Sequence, residues 1–184
     1  MEFANFNTDW KFSNETREAK TNSITLKIEE RTNIGLTVGG GIGYHFLSLD
    51  GQDGGDSTSF DAQNVEIYLR QEFALGDAVT LLGVLDYAWY TGDDGDEADI
   101  DWSEVGVELG VNFRYRNVGI TPFVSYTNVD GDTSGLEDGG DFELKDSFGQ
   151  GVRFDIFVES TAFVSIELKT GSQTGGYIGF VRRY

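Results

Sequence analysis

The chain has 184 residues, a formal net charge of −19, 25 glycines, one proline, no cysteine and 14% aromatic residues. That charge repels a phosphate backbone and excludes nucleic-acid binding by electrostatics, and the lack of cysteine excludes a disulfide framework. No apolar run approaches the ~18 residues of a transmembrane helix, and no apolar stripe of helical period persists over three turns. One all-β domain, 1–184, remains, rich in glycine turns and aromatic strands. The mean hydropathy of −0.30 does not oppose a membrane location, because transmembrane strands are apolar only at every second position.

Met1 is followed by Glu2-Phe3-Ala4 with neither a basic nor an apolar leader segment. An exported barrel needs a signal peptide, so the chain is expected to be the mature form. Ten segments then alternate with period two, at 2–13, 21–30, 33–48, 60–73, 78–91, 102–116, 118–129, 143–158, 161–170 and 175–184. In 33–48, Ile34, Leu36, Val38, Ile42, Tyr44 and Phe46 share one face, and the other reads Gly35, Thr37, Gly39, Gly41, Gly43, His45. In 102–116, Val105, Val107, Leu109 and Phe113 oppose Glu104, Gly106, Glu108 and Arg114. Connections near 31–32, 74–77, 117 and 159–160 are tight, whereas 49–59, 92–101 and 130–142 are long, glycine-rich and acidic. Short turns at one end and long loops at the other describe an up-and-down transmembrane barrel with both termini at the periplasmic end. The expected fold is therefore a closed antiparallel barrel of about ten strands, with eight strands plus an N-terminal hairpin as the alternative. Pro122 cannot donate a ladder hydrogen bond, so a bulge is expected there.

Alternation alone does not say which face is outside. The polar face carries nine acids and six bases, among them Asp9, Lys11, Lys27, Glu29, Asp86, Glu167 and Lys169, interleaved with glycine. A narrow lumen requires small residues and paired charges, since unpaired buried charge is costly. The expected lumen network is Glu66, Arg70, Glu104, Glu108, Arg114, Arg153 and Asp155, which pair across strands and plug the interior; a narrow passive pore is the alternative. The apolar face is almost free of charge, and its aromatics crowd toward strand ends. Trp10, Phe12, Tyr44, Tyr87, Trp89, Tyr115 and Tyr126 are expected in interfacial girdles.

The glycine-aromatic run Val38-Gly39-Gly40-Gly41-Ile42-Gly43-Tyr44-His45-Phe46 and the final strand Tyr177-Ile178-Gly179-Phe180-Val181-Arg182-Arg183-Tyr184 resemble the small outer-membrane barrels of the OmpA/OmpX type. The resemblance implies a Gram-negative outer-membrane protein in contact with outer-membrane lipid and lipopolysaccharide. It also implies recognition by the barrel-assembly machinery through the terminal Tyr184, with Arg182 standing where an apolar residue is usual. A structural or surface-interaction role, rather than catalysis, is the leading functional expectation. His45, the single histidine, has Ser48, Ser57 and Ser59 nearby in sequence, and a lipid A-modifying enzyme is the remaining catalytic alternative. No cofactor is expected, with calcium the one candidate ion. Asp130, Asp132, Ser134 and Asp141 fall at positions one, three, five and twelve of an EF-hand-like count with Gly135 at six.

Overall fold

The computed structural model describes residues 1–13, 15–51, 56–136, 140–159 and 162–182. Period-two alternation with β-branched and aromatic residues produces strands throughout. They are β1 (Glu2–Phe12), β2 (Thr16–Arg31), β3 (Leu36–Leu49), β4 (Thr58–Ala74), β5 (Val79–Asp93), β6 (Asp99–Tyr115), β7 (Val118–Ser134), β8 (Asp141–Leu144), β9 (Phe148–Phe157), β10 (Ala162–Gly171) and β11 (Thr174–Arg182). All pairings are antiparallel, and β11 closes onto β1 through Glu2↔Gly179 to Asn7↔Thr174. This is the expected closed barrel of ten strands, plus one extra strand. The segment expected at 143–158 is divided into β8 and β9, and several strands run further into the loops than the alternation predicted.

That division changes the strand number along the barrel axis. At the short-turn end the ring is β1 to β7, then β9, β10 and β11, ten strands in all. At the loop end β10 and β11 have already turned at residues 172–173. There the short β8 pairs with both β7 (Asp130↔Glu143) and β1 (Trp10↔Leu144), closing a ring of eight.

The two rings bury opposite things. In the ten-stranded ring, Leu26, Ile42, Ile67, Leu85, Leu109 and Val124 project outward and are exposed. A continuous apolar exterior around a sheet that has no edge is a lipid-facing surface. A membrane crossing takes ~9–11 tilted residues, yet β4, β6 and β7 each have 17. Their upper residues stand clear of the bilayer, and the outward positions there become polar: Asp61, Asp93, Asp99, Asp101, Asp130 and Asp132, all exposed. Inward positions become largely apolar at the same level, with Arg17, paired with Glu15 and lying over the Phe12 ring, as a charged exception. Trp10, Phe12, Ala19, Leu47, Leu49, Phe60, Ala62, Ile100, Trp102, Val129, Phe142 and Leu144 form one buried cluster. Trp10 stacks on Phe142 at 4.4 Å, and Tyr90 stacks on Trp102 at 4.3 Å. Gly131 is required here, because a Cβ would lie 2.4 Å from the Phe142 ring and 2.6 Å from the Trp102 Cβ.

Two expectations are corrected. Trp10, assigned to the outer girdle, is only 3% exposed and lies inside this core together with Phe12; Asp9 and Lys11, assigned to the lumen, take the outward positions. Pro122 produces no bulge. The β6–β7 register is the same on both sides of it, Gly110↔Phe123 and Phe113↔Ile120, and the ladder merely skips two pairs. The Asn112 side chain donates to Thr121 Oγ1 at 2.8 Å across that gap.

Candidate functional site: the lumen and its apolar ceiling

The lumen below the apolar core is a cavity of about 950 Å³. It is lined at the short-turn mouth by Thr32, Asn33, Gly76 and Asp77, and at its top by Tyr90 and Glu104. Above Tyr90 sit Trp102, Trp10 and Phe142, each at most 5% exposed. An interior of eight strands is just wide enough for side chains to fill, and here aromatic rings fill it.

Side chains cross the lumen wall by lying over glycine. A Cβ at Gly39 would meet the Tyr68 ring at 2.2 Å, and one at Gly41 would meet Glu66 Oε1 at 3.0 Å. Tyr68 on β4 therefore passes over β3 and donates to Glu29 Oε2 on β2 at 2.9 Å. Glu66 takes the same route to Lys27 Nζ at 3.0 Å. Arg70 lies 3.6 Å from Glu29. On the far wall Arg153 is the hub. It donates to Glu108 Oε2 at 2.9 Å, to Glu167 Oε2 at 2.6 Å and to the Tyr177 hydroxyl at 3.0 Å, joining β6, β9, β10 and β11. Its side chain is 15% exposed and those of its two carboxylates 13% and 7%, so these are desolvated, charge-assisted bonds rather than surface pairs. Glu104 accepts from Tyr90 at 3.2 Å and from Gln173 at 2.7 Å.

Of the seven expected lumen residues, Glu66, Arg70, Glu108 and Arg153 form ion pairs, though Glu66 and Arg70 do so with Lys27 and Glu29. Glu104 is satisfied by neutral donors. Arg114 has no carboxylate within 4 Å among the described residues; it is exposed and lies 4.0 Å over the Phe157 ring. Asp155 forms no ion pair there, and its Oδ1 is buried and unbonded. Tyr68 shares the polar face of its segment with Glu66 and Arg70 in the sequence, but its bond to Glu29, like the roles of Tyr177 and Gln173, was not foreseen. The inward glycines of β3 were the available signal, since neighbours lie across a strand only where it lacks side chains.

His45 faces inward, 7% exposed. Its Nε2 lies 3.0 Å from Asn64 Oδ1, and its ring meets Tyr90 edge-on at 5.1 Å. Ser48 and Ser59 pair with each other on the outward positions of β3 and β4, so the sheet itself separates them from His45. Tyr44, Tyr87, Trp89, Tyr115 and Tyr126 are exposed on the outer wall. Tyr126 packs edge-on to Phe148 at 5.2 Å, as Tyr44 does to Phe46 at 5.1 Å.

Asp130, Asp132 and Ser134 are not in a loop. They occupy successive outward positions of β7, at roughly 3.3 Å per residue along an extended strand. Asp141 faces Asp132 across β7–β8. A calcium loop folds its ligands around one centre; a strand spreads them along a line. Among the described residues no group of three or more His, Cys, Asp or Glu could hold a metal ion. Positions 137–139 of that count, and Arg183-Tyr184 of the terminal motif, lie outside the described residues. In the neighbouring loop, Asp94 accepts backbone N–H bonds from Asp96 at 2.9 Å and Ala98 at 3.1 Å, which hold its carboxyl below the usual carboxylate range.

Residues 3–155 match the family model described as the autotransporter beta-domain. No curated protein matches the chain. Among solved structures, the translocator domain of the autotransporter NalP from Neisseria meningitidis aligns with a TM-score of 0.53 at 11% identity, covering 100% of this chain and 86% of that one. The beta domain of the Bordetella autotransporter Brka aligns with a TM-score of 0.50 at 11% identity, covering 100% and 98%.

Proposed function

Since the chain belongs to the autotransporter beta-domain family and is a bacterial outer-membrane β-barrel, rather than one of OmpA/OmpX type, we propose that it is a sealed structural barrel carrying an acidic, water-exposed collar on the cell surface. The apolar core above the lumen is the observation that supports this reading. Among the described residues thirteen buried apolar side chains fill the eight-stranded ring, and the one inward cation at their level, Arg17, is already paired with Glu15, so an ion crossing that region would have to shed its water among apolar groups. The lumen below is a blind cavity open toward the periplasm. The outer aromatics contact lipid and lipopolysaccharide, and the collar, with Asp61, Asp93, Asp99 and Asp101 outward, is the part available to surface partners. The final strand, which zips to β1 to close the ring, is the element the barrel-assembly machinery acts on. His45, enclosed by Asn64 and Tyr90, is a wall residue that lipid does not reach.

The test is single-channel recording in planar bilayers. The expected result is no discrete conductance from the purified, heat-modifiable protein. Steady open-channel steps would overturn the sealed reading in favour of a passive pore.

Family membership favours one second reading, that the barrel exports a polypeptide as the neighbours' printed descriptions imply. Met1 lies at the short-turn mouth, its amine donating to the Phe180 carbonyl at 3.0 Å. A reporter fused there should remain protected from external protease if the barrel is sealed. Its appearance on the cell surface would support export, and would require the apolar core to open.

A further inference from the structure

We propose that the outer wall at β11, β1 and β2, where the first and last strands close the ring, is an interaction surface for a locally thinned bilayer, with lipid headgroups and water reaching down to Asn5 and Asn22.

A tilted strand needs ~9–11 residues to cross the hydrocarbon. On β6 the outward positions are apolar or aromatic from Val105 to Tyr115, and on β5 they are apolar, aromatic or glycine from Val79 to Trp89. Each of these is a full crossing. On β2 the outward apolar run is only Ile24, Leu26 and Ile28, with Asn22 above it and Glu30 below it, both exposed. On β11 the run is Ile178 and Phe180, and on β1 it is Phe3 alone, with exposed Asn5 next above. The register sets the three short runs side by side, Ile178↔Phe3↔Ile24, and places Gly176↔Asn5↔Asn22 directly above them. The wall at β5 and β6, on the opposite side of the ring, thus spans the bilayer, while this one covers about half of it.

A second feature marks the same place. β10 and β11 turn back at residues 172–173, and the space left beneath β8 is a polar notch of about 270 Å³, lined by Asn7, Asp9, Glu18, Asp146, Ser172 and Thr174. Asn7 pairs with Thr174 and Asp9 with Glu18 in the register, on the same outward face as Asn5 and Asn22. Polar wall therefore runs without interruption from the asparagine pair up into the notch.

A wall shorter than the bilayer is matched by thinning, by snorkelling side chains or by association. Asn5 donates to Asn22 Oδ1 at 2.7 Å, so the two short amides hold each other in place and neither reaches upward. Hydrocarbon offers their remaining groups no hydrogen bond, whereas water and headgroups do. The lysines beside the strip are paired within the chain, Lys145 with Asp9 at 3.0 Å and Lys20 with Glu18 at 3.6 Å, which leaves a second barrel no free cation to engage there. Thinning is what remains.

The chain has no cysteine, so single nitroxide labels can be placed through Asn22→Cys and, at a similar remove from the short-turn end of the opposite wall, through Val107→Cys. With the full chain refolded into dioleoylphosphatidylcholine vesicles, collision of each label with a water-soluble nickel chelate is compared with its collision with oxygen. The label at position 22 should favour nickel several-fold more than the label at position 107. The second measurement is unfolding in denaturant from dilauroyl and dioleoyl vesicles. Asn5→Val/Asn22→Val removes both partners of one bond, which leaves neither amide stranded, and lengthens the apolar run. It should shift the balance of stability toward the thicker lipid relative to the wild type. Equal collision ratios at the two positions would overturn the proposal, as would an unchanged lipid preference in the double variant. So would a label at position 22 shielded from both probes in a particle of twice the mass, which would give this wall to a second copy of the chain.

Discussion

The eight-stranded ring and the ten-stranded ring are built from the same strands, yet they solve opposite solvent problems. On β4, Val65, Ile67 and Leu69 point out to lipid while Glu66 and Arg70 point in. A few residues up the same strand, Phe60 and Ala62 point in while Asp61 points out to water. The backbone parity never changes; the apolar residues change phase. The same slip occurs between Phe46 and Leu47 on β3, between Trp102 and Val105 on β6, and between Tyr126 and Val129 on β7. One polypeptide is thereby a membrane barrel below and a soluble-type barrel above, and the level at which the phases switch marks the membrane surface.

If the upper ring is a true core, truncating its central ring should have the largest effect. Trp102→Ala removes a side chain that stacks on Tyr90 and lies 5.6 Å from Trp10, and it should cost about 3–5 kcal/mol. Unfolding in denaturant from lipid vesicles measures it. Leu109→Ala, on the lipid face of the same strand, should cost far less, because the small side chain still faces lipid. Equal costs would erase the distinction between the rings.

The lower ring should break through its charges. Arg153→Ala strands Glu108 and Glu167 in the wall and should cost on the order of 3 kcal/mol. Arg114→Ala should change stability by no more than about 1 kcal/mol, because Arg114 is exposed, holds no carboxylate among the described residues and loses only its contact with the Phe157 ring. Sequence reasoning placed these two arginines in one network. The same denaturation assay separates them, and a large effect of Arg114→Ala would contradict the pairing seen here.

Charge on the outside should sharpen the boundary. Ile67→Lys places an ammonium on the lipid face and should cost about 2–4 kcal/mol if it lies near the midplane. Asp61→Lys, three pairs up the same strand face, should be tolerated, and it removes one acid from a row where Asp61 faces Asp93 and Asp93 faces Asp99. If both substitutions cost the same, the bilayer does not end where the phase switches.

The strand number, the antiparallel closure, the lumen of glycine and charge and the outer-membrane location were all legible, because period-two alternation and loop asymmetry are local properties of a sequence. The upper ring was not read. Trp10 and Phe12 sat on the apolar face and were assigned to lipid, although the phase slip that places them inside was present in the residues. β8 was hidden in a long segment, because its pairing with β1 depends on where β10 and β11 turn back. The partners of Glu66 and Arg70 were missed for a related reason. They lie two strands away, across a glycine strand, and cross-strand counting reaches only one.

The smallest effect concerns the acids counted as a calcium loop. Asp132 faces Asp101 on β6 and Asp141 on β8, all three exposed on one outer row. Like charges directly opposite one another on a sheet destabilise it, by an amount of the same order as the ~0.2–1 kcal/mol of favourable pairs. Asp132→Asn removes two such contacts at once and leaves the inward positions untouched. It should therefore raise stability slightly, by roughly 0.5 kcal/mol at low salt. The gain should fade as ionic strength rises and the Debye length shrinks toward ~3 Å at 1 M. A folded EF-hand-like site predicts the reverse in calcium, where the wild type would gain from the bound ion and the variant would lose it. Thermal unfolding of the two proteins, at low salt and then with millimolar calcium, decides between a repulsive strand row and a cation site. A wild type that becomes the more stable of the pair in calcium would restore the cation site.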